Sequence, residues 1–193
     1  MIPLWLKLAV TVLVAAIVVV YWRRYGSANF LWFSDIALIG TVPALWLESA
    51  LIASALAVAV LLPELLWNAS YFVRLLTGRR IHGLTDYMFD RARPRWLRAL
   101  SLFHVPLPLL LLWLLHVLGY DPRGVWLQTL IAWVVLPVTY RFTDPEENIN
   151  CVFGPGADPQ RRIAPPLYLA IVMLAFPLLI YLPTHWLLLV LAG

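Results

Sequence analysis

Long runs of apolar residues, separated by short polar segments, dominate the chain from end to end. Each run approaches 20 residues, the length that a helix needs to cross about 30 Å of hydrocarbon at 1.5 Å per residue. The pattern predicts an all-α, polytopic membrane bundle of about six transmembrane helices in one domain that covers residues 1–193. The predicted helices are 4–22, 29–47, 50–77, 96–119, 124–141 and 165–190. The second and third helices are the least clearly separated, because only LWLESA, with Glu48 as its sole charge, divides them.

Composition excludes a soluble globular domain. Hydrophobic residues make up 63% of the chain and charged residues 12%, far from the balance of soluble proteins. Cys151 is the single cysteine, so neither an intrachain disulfide nor a CxxC motif can form. We expect no metal centre and no cofactor. The net charge of +4 does not indicate nucleic-acid binding, because Arg and Lys in a membrane protein mainly record orientation and contact with anionic headgroups.

The positive charges are distributed unevenly between the two sides of the predicted bundle. Twelve of the fourteen Lys and Arg residues fall in or beside the connections that follow the first, third and fifth helices, and only Lys7 and Arg123 fall on the other side. The positive-inside rule then places these three Arg-bearing connections in the cytoplasm and both termini outside. A plasma membrane or a bacterial inner membrane is the expected location.

Polar residues from three predicted helices fall at one depth below the cytoplasmic surface. At 1.5 Å per residue, Ser34 and Asp35 lie about 8 Å into the second helix and His104 about 12 Å into the fourth. Glu64, Asn68 and Tyr71 follow i, i+4, i+7 spacing in the third helix, so they share one face and line a common polar surface. Ionisable residues at membrane depth are costly, which makes each of them a candidate functional residue.

His104 is the central residue of this polar layer, and the other five are its candidate partners. A carboxylate beside an imidazole fixes its tautomer and raises its basicity, so a nearby hydroxyl can act as a nucleophile. The sequence therefore predicts a catalytic group in which His104 is the general base, Ser34 the nucleophile, and Asp35 either orients the histidine or supports the bundle. The competing interpretation is that His104 and Asp35 only form hydrogen bonds between helices, which stabilise membrane bundles by about 1 kcal/mol.

Two short motifs resemble a known family. FLWFSD, from Phe30 to Asp35, followed by HVPLPLLLL in the fourth of six helices, resembles the androgen-induced-gene family of intramembrane lipid hydrolases and related bacterial six-helix proteins. That family has a catalytic Thr within a Phe-Leu-Thr-x-x-Asp pattern and a catalytic His followed by Leu-Pro. The resemblance implies roles for His104 and Asp35. It does not extend to the nucleophile, because Trp32 stands at the position of the Thr and Ser34 points about 200° further around the helix.

The connection between the third and fourth helices is rich in arginine. We expect it to lie on the membrane surface and to contact phosphate headgroups. The residues predicted to make this contact are Arg79, Arg80, Arg91, Arg93 and Arg95.

The connection after the fifth helix carries the other dense polar cluster. The order of Thr143, Asp144, Pro145 and the following glutamates predicts a capped interfacial helix. Its acids are expected to pair with arginines. The alternative is a set of oxygen ligands for Mg²⁺ or Ca²⁺, although the spacing is not that of an EF-hand. The ligands would come from Asp144, Glu146, Glu147, Asn148 and Asn150.

Three functions follow from these patterns. The first is a lipid ester hydrolase or acyltransferase with a buried His/Asp/Ser site and membrane lipids as its partners. The second is a non-catalytic accessory subunit, in which His104 and Asp35 hold helices together and apolar faces bind partner membrane subunits. A small-solute transporter is the third and is less favoured, because the chain has neither a repeated half nor a Gly-rich filter motif.

Overall fold

The computed structural model describes residues 1–81, 83–156 and 158–192 of the chain. Every regular element in these ranges is helical, which confirms the predicted all-α class. The α-helices are α1 Leu4–Tyr25, α2 Phe33–Trp46, α3 Ala50–Thr77, α4 Asp86–Phe89, α5 Arg95–Leu100, α6 Pro106–Leu118, α7 Gly124–Phe142, α8 Pro165–Ala175 and α9 Leu182–Ala192.

Five helical stretches are long and apolar enough to cross a membrane. They are α1, α3, α7, the stretch Arg95–Leu118 that contains α5 and α6, and the stretch Pro165–Leu191 that contains α8 and most of α9. Helix α2 is also apolar but has only 14 residues, or about 21 Å at 1.5 Å per residue. The predicted number of about six therefore corresponds to five long helices and one shorter one.

Helix α3 forms the centre of the bundle. It packs against α2, α6, α7 and α9. In its most apolar 18-residue segment 61% of the residues are buried, whereas the share is 17% in the corresponding segments of α1 and of the C-terminal stretch. Small residues allow the close approach of α7: a Cβ atom on Gly124 would lie 2.7 Å from the Cβ of Ser54, too close for any residue but glycine without a shift of the helices. Polar residues on α3 are therefore placed where they meet several neighbouring helices.

Two predicted helices are interrupted in the structure. The second begins with a 3₁₀ turn, Ala28–Leu31, and α2 starts only at Phe33, because Trp32 is extended with ψ 132°. In the fourth, a 3₁₀ turn, Ser101–His104, separates α5 from α6. The second interruption has a local cause. Pro106 has no N–H to donate to the carbonyl of Leu102, and Val105 donates to that carbonyl instead, at 3.0 Å.

The C-terminal stretch shows the same effect of proline. A π-helical turn, Phe176–Tyr181, joins α8 to α9. Pro177 cannot donate to the carbonyl of Met173, and the indole N–H of Trp133 on α7 donates to it at 3.0 Å. A neighbouring helix thus supplies the donor that proline lacks, as the absence of water in a membrane requires.

The connection after α7 differs from its prediction. Residues 145–147 form a turn and Ile149–Cys151 a 3₁₀ turn, so no α-helix starts at Thr143 or Asp144. Asn148, Asn150 and Cys151 have φ values of 41°, 52° and 59°, in the left-handed region that a right-handed helix cannot use. The N-terminal signals were present, but the chain turns at Asn148 before a helix can continue.

The chain runs up and down through these helices, so the connections fall at two ends of the bundle. The described parts of three connections, residues 26–32, 78–81 with 83–94, and 143–156 with 158–164, lie at one end, which we call the arginine-rich end. The N-terminus and the turns that follow α2 and α6 lie at the opposite end.

Candidate functional site

His104 lies at the kink between α5 and α6, on the side of α3. Its Nδ1 atom is 2.9 Å and 2.8 Å from the two carboxylate oxygens of Glu64. The Glu64 side chain is 2% exposed and that of His104 is 12% exposed. A carboxylate accepts hydrogen bonds, so the Nδ1–H donates to Glu64 and the neutral imidazole carries its lone pair on Nε2.

The kink itself fixes the position of the histidine. In an uninterrupted helix the carbonyl of His104 would accept from the N–H of residue 108, but residue 108 is proline and has no N–H. The side-chain amide of Asn68, one turn after Glu64 on α3, donates to this carbonyl at 2.8 Å and to the carbonyl of Glu64 at 2.8 Å. Helix α3 therefore holds both the ring and the backbone of His104.

Aromatic rings pack against the imidazole. The ring of Trp67 stacks on it with centroids 4.5 Å apart, and the ring of Phe103 does so at 4.2 Å. Trp67 and Phe103 are each 5% exposed. Tyr71 continues this stack on the far side of Trp67, with centroids 5.2 Å apart. These rings exclude water from the Glu64–His104 pair and strengthen the electrostatic interaction between its members.

A second group of polar side chains connects the pair to the arginine-rich end. The indole N–H of Trp67 donates to the hydroxyl of Tyr87 at 3.2 Å, and the hydroxyls of Tyr21 and Ser101 are 2.8 Å apart. Burial raises the pKa of the Tyr87 hydroxyl well above its usual range, against smaller lowering effects of its hydrogen bonds to Ser101 and Trp67. Tyr87 therefore stays protonated and acts as a neutral hydrogen-bonding group.

Of the three predicted catalytic residues, Asp35 and Ser34 lie on α2 and His104 lies at the kink between α5 and α6. Asp35 is buried in the first turn of α2 and lies close enough to Glu64 for the two carboxylates to interact. No hydrogen bond joins Asp35 to His104 in the described ranges; the partner of the imidazole is Glu64. Ser34 is half-buried, and in the same ranges its hydroxyl makes no hydrogen bond with His104.

Of the polar lining, Glu64 and Asn68 meet His104 directly, and Tyr71 does so through Trp67. The sequence offered Glu64 as one of several candidate partners, and the fold selects it because α3 is central and faces the kink. Sequence reasoning missed Trp67. Its position three residues after Glu64 puts it on the same helix face, and this spacing is the signal that identifies it.

The arginines predicted to contact headgroups are all exposed at the arginine-rich end. Arg80 forms an ion pair with Asp86, which also binds Arg74, and Arg93 lies 3.6 Å from Asp90. Their contact with headgroups stays a prediction, as does that of Arg79, Arg91 and Arg95.

Sequence reasoning also missed Asn150, which fixes the start of α2. Its side chain accepts from the backbone N–H of Phe33 at 3.2 Å and donates to the carbonyl of Leu31 at 2.7 Å. Trp32, at the N-cap position, has no side-chain acceptor for the free N–H groups of the first turn, so a residue 117 positions away caps the helix. Asp35 is held in place by this contact.

Two open surface cavities of the described chain lie apart from His104, which lines neither of them. The larger, about 440 Å³, is at the arginine-rich end, and the other, about 300 Å³, lies on α1. The first is lined by Ala28, Arg141, Phe142, Thr143, Asp144 and Glu147. The second is lined by Val18, Val19, Trp22 and Arg23.

In the described residues, no group of three or more His, Cys, Asp or Glu side chains is arranged to hold a metal ion. The arrangement around His104 is that of a single base: one ring nitrogen is held by a carboxylate, and the other is left to accept a proton. Comparison with protein-family models, curated proteins and solved structures gives no match to this chain.

Proposed function

We propose that the protein is an intramembrane hydrolase or acyltransferase that acts on a lipid ester, with His104 as general base and Glu64 as the group that orients it. The contact between Nδ1 of His104 and both oxygens of Glu64 carries this proposal. It fixes the tautomer in which Nε2 accepts a proton, and it stabilises the imidazolium that forms afterwards. The resemblance of HVPLPLLLL to the androgen-induced-gene family supports the role of His104, and it does not bear on Glu64.

The proposed reaction begins with proton transfer to Nε2 of His104. The proton comes from the hydroxyl of Ser34, whose oxygen attacks the ester carbonyl to form a tetrahedral intermediate. The imidazolium returns the proton to the alcohol oxygen as the ester C–O bond breaks, which leaves an acyl-enzyme. Water or an acceptor alcohol then attacks the acyl-enzyme with His104 as base, and the proton returns to the oxygen of Ser34 as its bond to the acyl group breaks. Substrate binding has to bring Ser34 and His104 together in this scheme, and water at Nε2 is the alternative nucleophile for direct hydrolysis.

The proposed location is a plasma or bacterial inner membrane, with the arginine-rich end in the cytoplasm and both termini outside. The distribution of twelve of the fourteen Lys and Arg residues to one side supports this orientation. The site then lies in the cytoplasmic half of the bundle, where a lipid substrate from the inner leaflet can reach it.

Labelling of the purified protein with a fluorophosphonate probe, combined with hydrolysis of a short-chain phospholipid ester, tests the chemistry. We expect labelling of the wild type and loss of labelling and hydrolysis in His104→Ala and Ser34→Ala. Glu64→Gln should lower the rate about 10²-fold or more, because it removes the charge that stabilises the imidazolium. His116→Ala, on the same helix as the site, and Ser27→Ala, in the turn before α2, are the matched controls and should retain activity.

The assay also separates the two nucleophiles. Hydrolysis that is lost in His104→Ala, without labelling of any variant and without loss in Ser34→Ala, identifies water as the attacking group. The proposal would be overturned if folded wild-type protein showed no labelling and no hydrolysis.

A second function, that of a non-catalytic subunit of a membrane complex, is supported by the packing of the imidazole. Trp67 and Phe103 stack on the ring of His104, and His104 lines neither of the two surface cavities described above. In this function the Glu64–His104 pair only fastens α3 to the kink, and exposed apolar faces such as that of α1 bind partner subunits. An inactive wild type whose melting temperature falls sharply in His104→Ala would favour this function.

A further inference from the structure

The larger cavity at the arginine-rich end combines charges of both signs at the membrane boundary. It lies between the end of α7, the turn that follows it and the 3₁₀ turn that contains Ala28. Arg141 supplies a cation, and Asp144 and Glu147 supply two carboxylates. All three side chains are exposed, and among the described residues none of them takes part in a salt bridge.

The walls of this cavity are fixed by buried hydrogen bonds. Asn150 binds the backbone on both sides of Trp32, which ties the connection after α7 to the turn on the other side of the cavity. The amide of Asn148 donates to the carbonyl of Gly154 at 2.8 Å, and its side-chain oxygen accepts from Phe153 at 2.9 Å. The N–H of Glu147 donates to the carbonyl of Asp144 at 3.0 Å, so the two carboxylates belong to one turn. The backbone that carries the two carboxylates is therefore held in place beside the turn that contains Ala28, which reduces the backbone entropy lost on binding.

The position of the cavity indicates a ligand at the membrane surface. Arg141 and Phe142 end helix α7, where an apolar span meets the polar interface. The Phe142 side chain is 73% exposed, and the guanidinium of Arg141 lies 5.4 Å from the centre of its ring. An exposed aromatic ring beside a charged cavity is the arrangement expected at headgroup level.

We propose that this cavity binds the phosphoethanolamine headgroup of a phospholipid. The guanidinium of Arg141 binds the phosphate, since arginine matches phosphate oxygens with paired N–H donors. The primary ammonium donates to the carboxylates of Asp144 and Glu147, as a lysine ammonium does. This proposal does not depend on the catalytic role of His104, because none of the residues that line the cavity belongs to the Glu64–His104 pair.

The charges of the cavity discriminate against the other common ligands. A choline headgroup has no N–H to donate to the carboxylates. A glycerol headgroup has no ammonium group, so the two carboxylates of the cavity would face an anionic lipid. A bare Mg²⁺ or Ca²⁺ ion is disfavoured because Arg141 repels it in the same cavity. A zwitterion with a phosphate and a primary ammonium satisfies both signs.

Native mass spectrometry of the purified full chain, after incubation with phosphatidylethanolamine, phosphatidylcholine or phosphatidylglycerol of the same acyl chains, tests the proposal. We expect the ethanolamine lipid to be retained about fivefold more than either of the others, the size expected for exposed charged contacts. The double variant Asp144→Asn/Glu147→Gln should abolish this preference, because only the ethanolamine lipid has an ammonium that donates to these carboxylates. Arg141→Gln should lower the retention of all three lipids, because each of them carries the phosphate.

Two control variants separate the cavity from general charge at this end. Glu146→Gln changes an exposed acid of the same turn, and Arg161→Gln an exposed arginine of the same connection; neither residue lines the cavity. Both should keep the preference. Equal retention of the ethanolamine and choline lipids by the wild type would overturn the proposal, as would a preference that survives Asp144→Asn/Glu147→Gln or is lost in the controls.

Competition with soluble glycerophosphoethanolamine identifies the source of the headgroup. Displacement of the bound lipid by this compound assigns the site to the free headgroup as well as to the lipid. Retention of the lipid against an excess of the soluble compound assigns the site to the membrane lipid alone.

Discussion

Two glutamate contacts of the described bundle have the same separation and different surroundings. In the interior Glu64 lies 2.8 Å from His104, and at the end opposite the arginine-rich end Glu48 lies 2.8 Å from Lys7. The Glu64 side chain is 2% exposed, whereas that of Glu48 is 29% exposed. Distance is therefore a poor guide to the strength of such a contact. Water solvates the members of the exposed pair, so its loss is tolerated, but a buried charge that loses its partner has no replacement.

The largest effect that tests this comparison is expected for His104→Leu. The substitution leaves the Glu64 carboxylate buried without its partner and should lower the free energy of unfolding by about 3 kcal/mol. Equilibrium unfolding in mixed detergent micelles measures the change. His116→Leu, an exposed histidine of α6, is the control and should have little effect.

A double substitution shows whether the loss comes from the unpaired charge. Glu64→Leu together with His104→Leu removes both members, and its stability should exceed that of His104→Leu alone. The comparison between the two ion pairs fails if His104→Leu costs no more than His116→Leu.

The next effect concerns the backbone of the kink rather than its charge. Asn68→Ala removes the donor to the His104 carbonyl, which Pro108 leaves without an N–H, and should cost about 1 kcal/mol of unfolding free energy. In a Pro108→Ala background the carbonyl regains a helical donor, so Asn68→Ala should cost less there. The same unfolding assay measures both. An equal cost in the two backgrounds would show that Asn68 does not replace the missing hydrogen bond.

The smallest effect is expected at the exposed pair and appears in the pH dependence of stability. The hydrogen bond from Lys7, with a further one from the N–H of Ile2, holds the pKa of the Glu48 carboxyl below its ordinary value of 4.5. A carboxyl group whose pKa is lower in the folded chain stabilises the fold above its ordinary pKa, and this contribution is lost as the pH falls through the folded value. Lys7→Gln should therefore lower the melting temperature slightly at pH 7, by far less than His104→Leu, and its difference from the wild type should vanish as the pH falls well below 4.5.

Arg161→Gln removes the same charge from an exposed arginine that forms no salt bridge within the described residues. It serves as the control and should leave this profile unchanged. A loss of stability at pH 7 in Lys7→Gln as large as that of His104→Leu would contradict the comparison.

Elements with strong local signals were predicted well. Helix α3 spans Ala50–Thr77, the predicted range, because Ser49 caps its first turn through Ile52 and Gly78 ends it in the left-handed conformation with φ 71°. Both signals act within four residues, so they can be seen in the sequence.

Elements that depend on distant contacts were predicted less well. Helix α2 starts four residues later than predicted, since Asn150 binds the backbone around Trp32 from 117 to 119 positions away. The helix expected after Thr143 is replaced by turns for a related reason. The side-chain amide of Asn148 donates to the carbonyl of Gly154, and its side-chain oxygen accepts from the N–H of Phe153. A pattern of neighbouring residues carries no information about such contacts, so it cannot show when they override the local signals.

The candidate site was predicted in its members but not in its pairing. The sequence placed His104, Asn68 and Asp35 in one layer and Glu64 nearer the middle of the membrane, since depth follows from the rise per residue in helices anchored at the membrane surface. It did not determine the rotation of each helix about its axis. That rotation brings Glu64 rather than Asp35 to the imidazole.

By itself the sequence determined that this is a helical membrane protein with about six apolar segments. The thickness of the hydrocarbon fixes the length of a spanning helix, and a helix pairs the backbone N–H and C=O groups of such a segment internally where water is absent. The tertiary structure decided that Glu64 binds His104, that Asn68 replaces the donor missing at Pro108, and that Asn150 caps α2. Each of these contacts joins residues at least 36 positions apart. Their formation depends on the packing of side chains around the central helix α3, which no periodicity along the chain encodes.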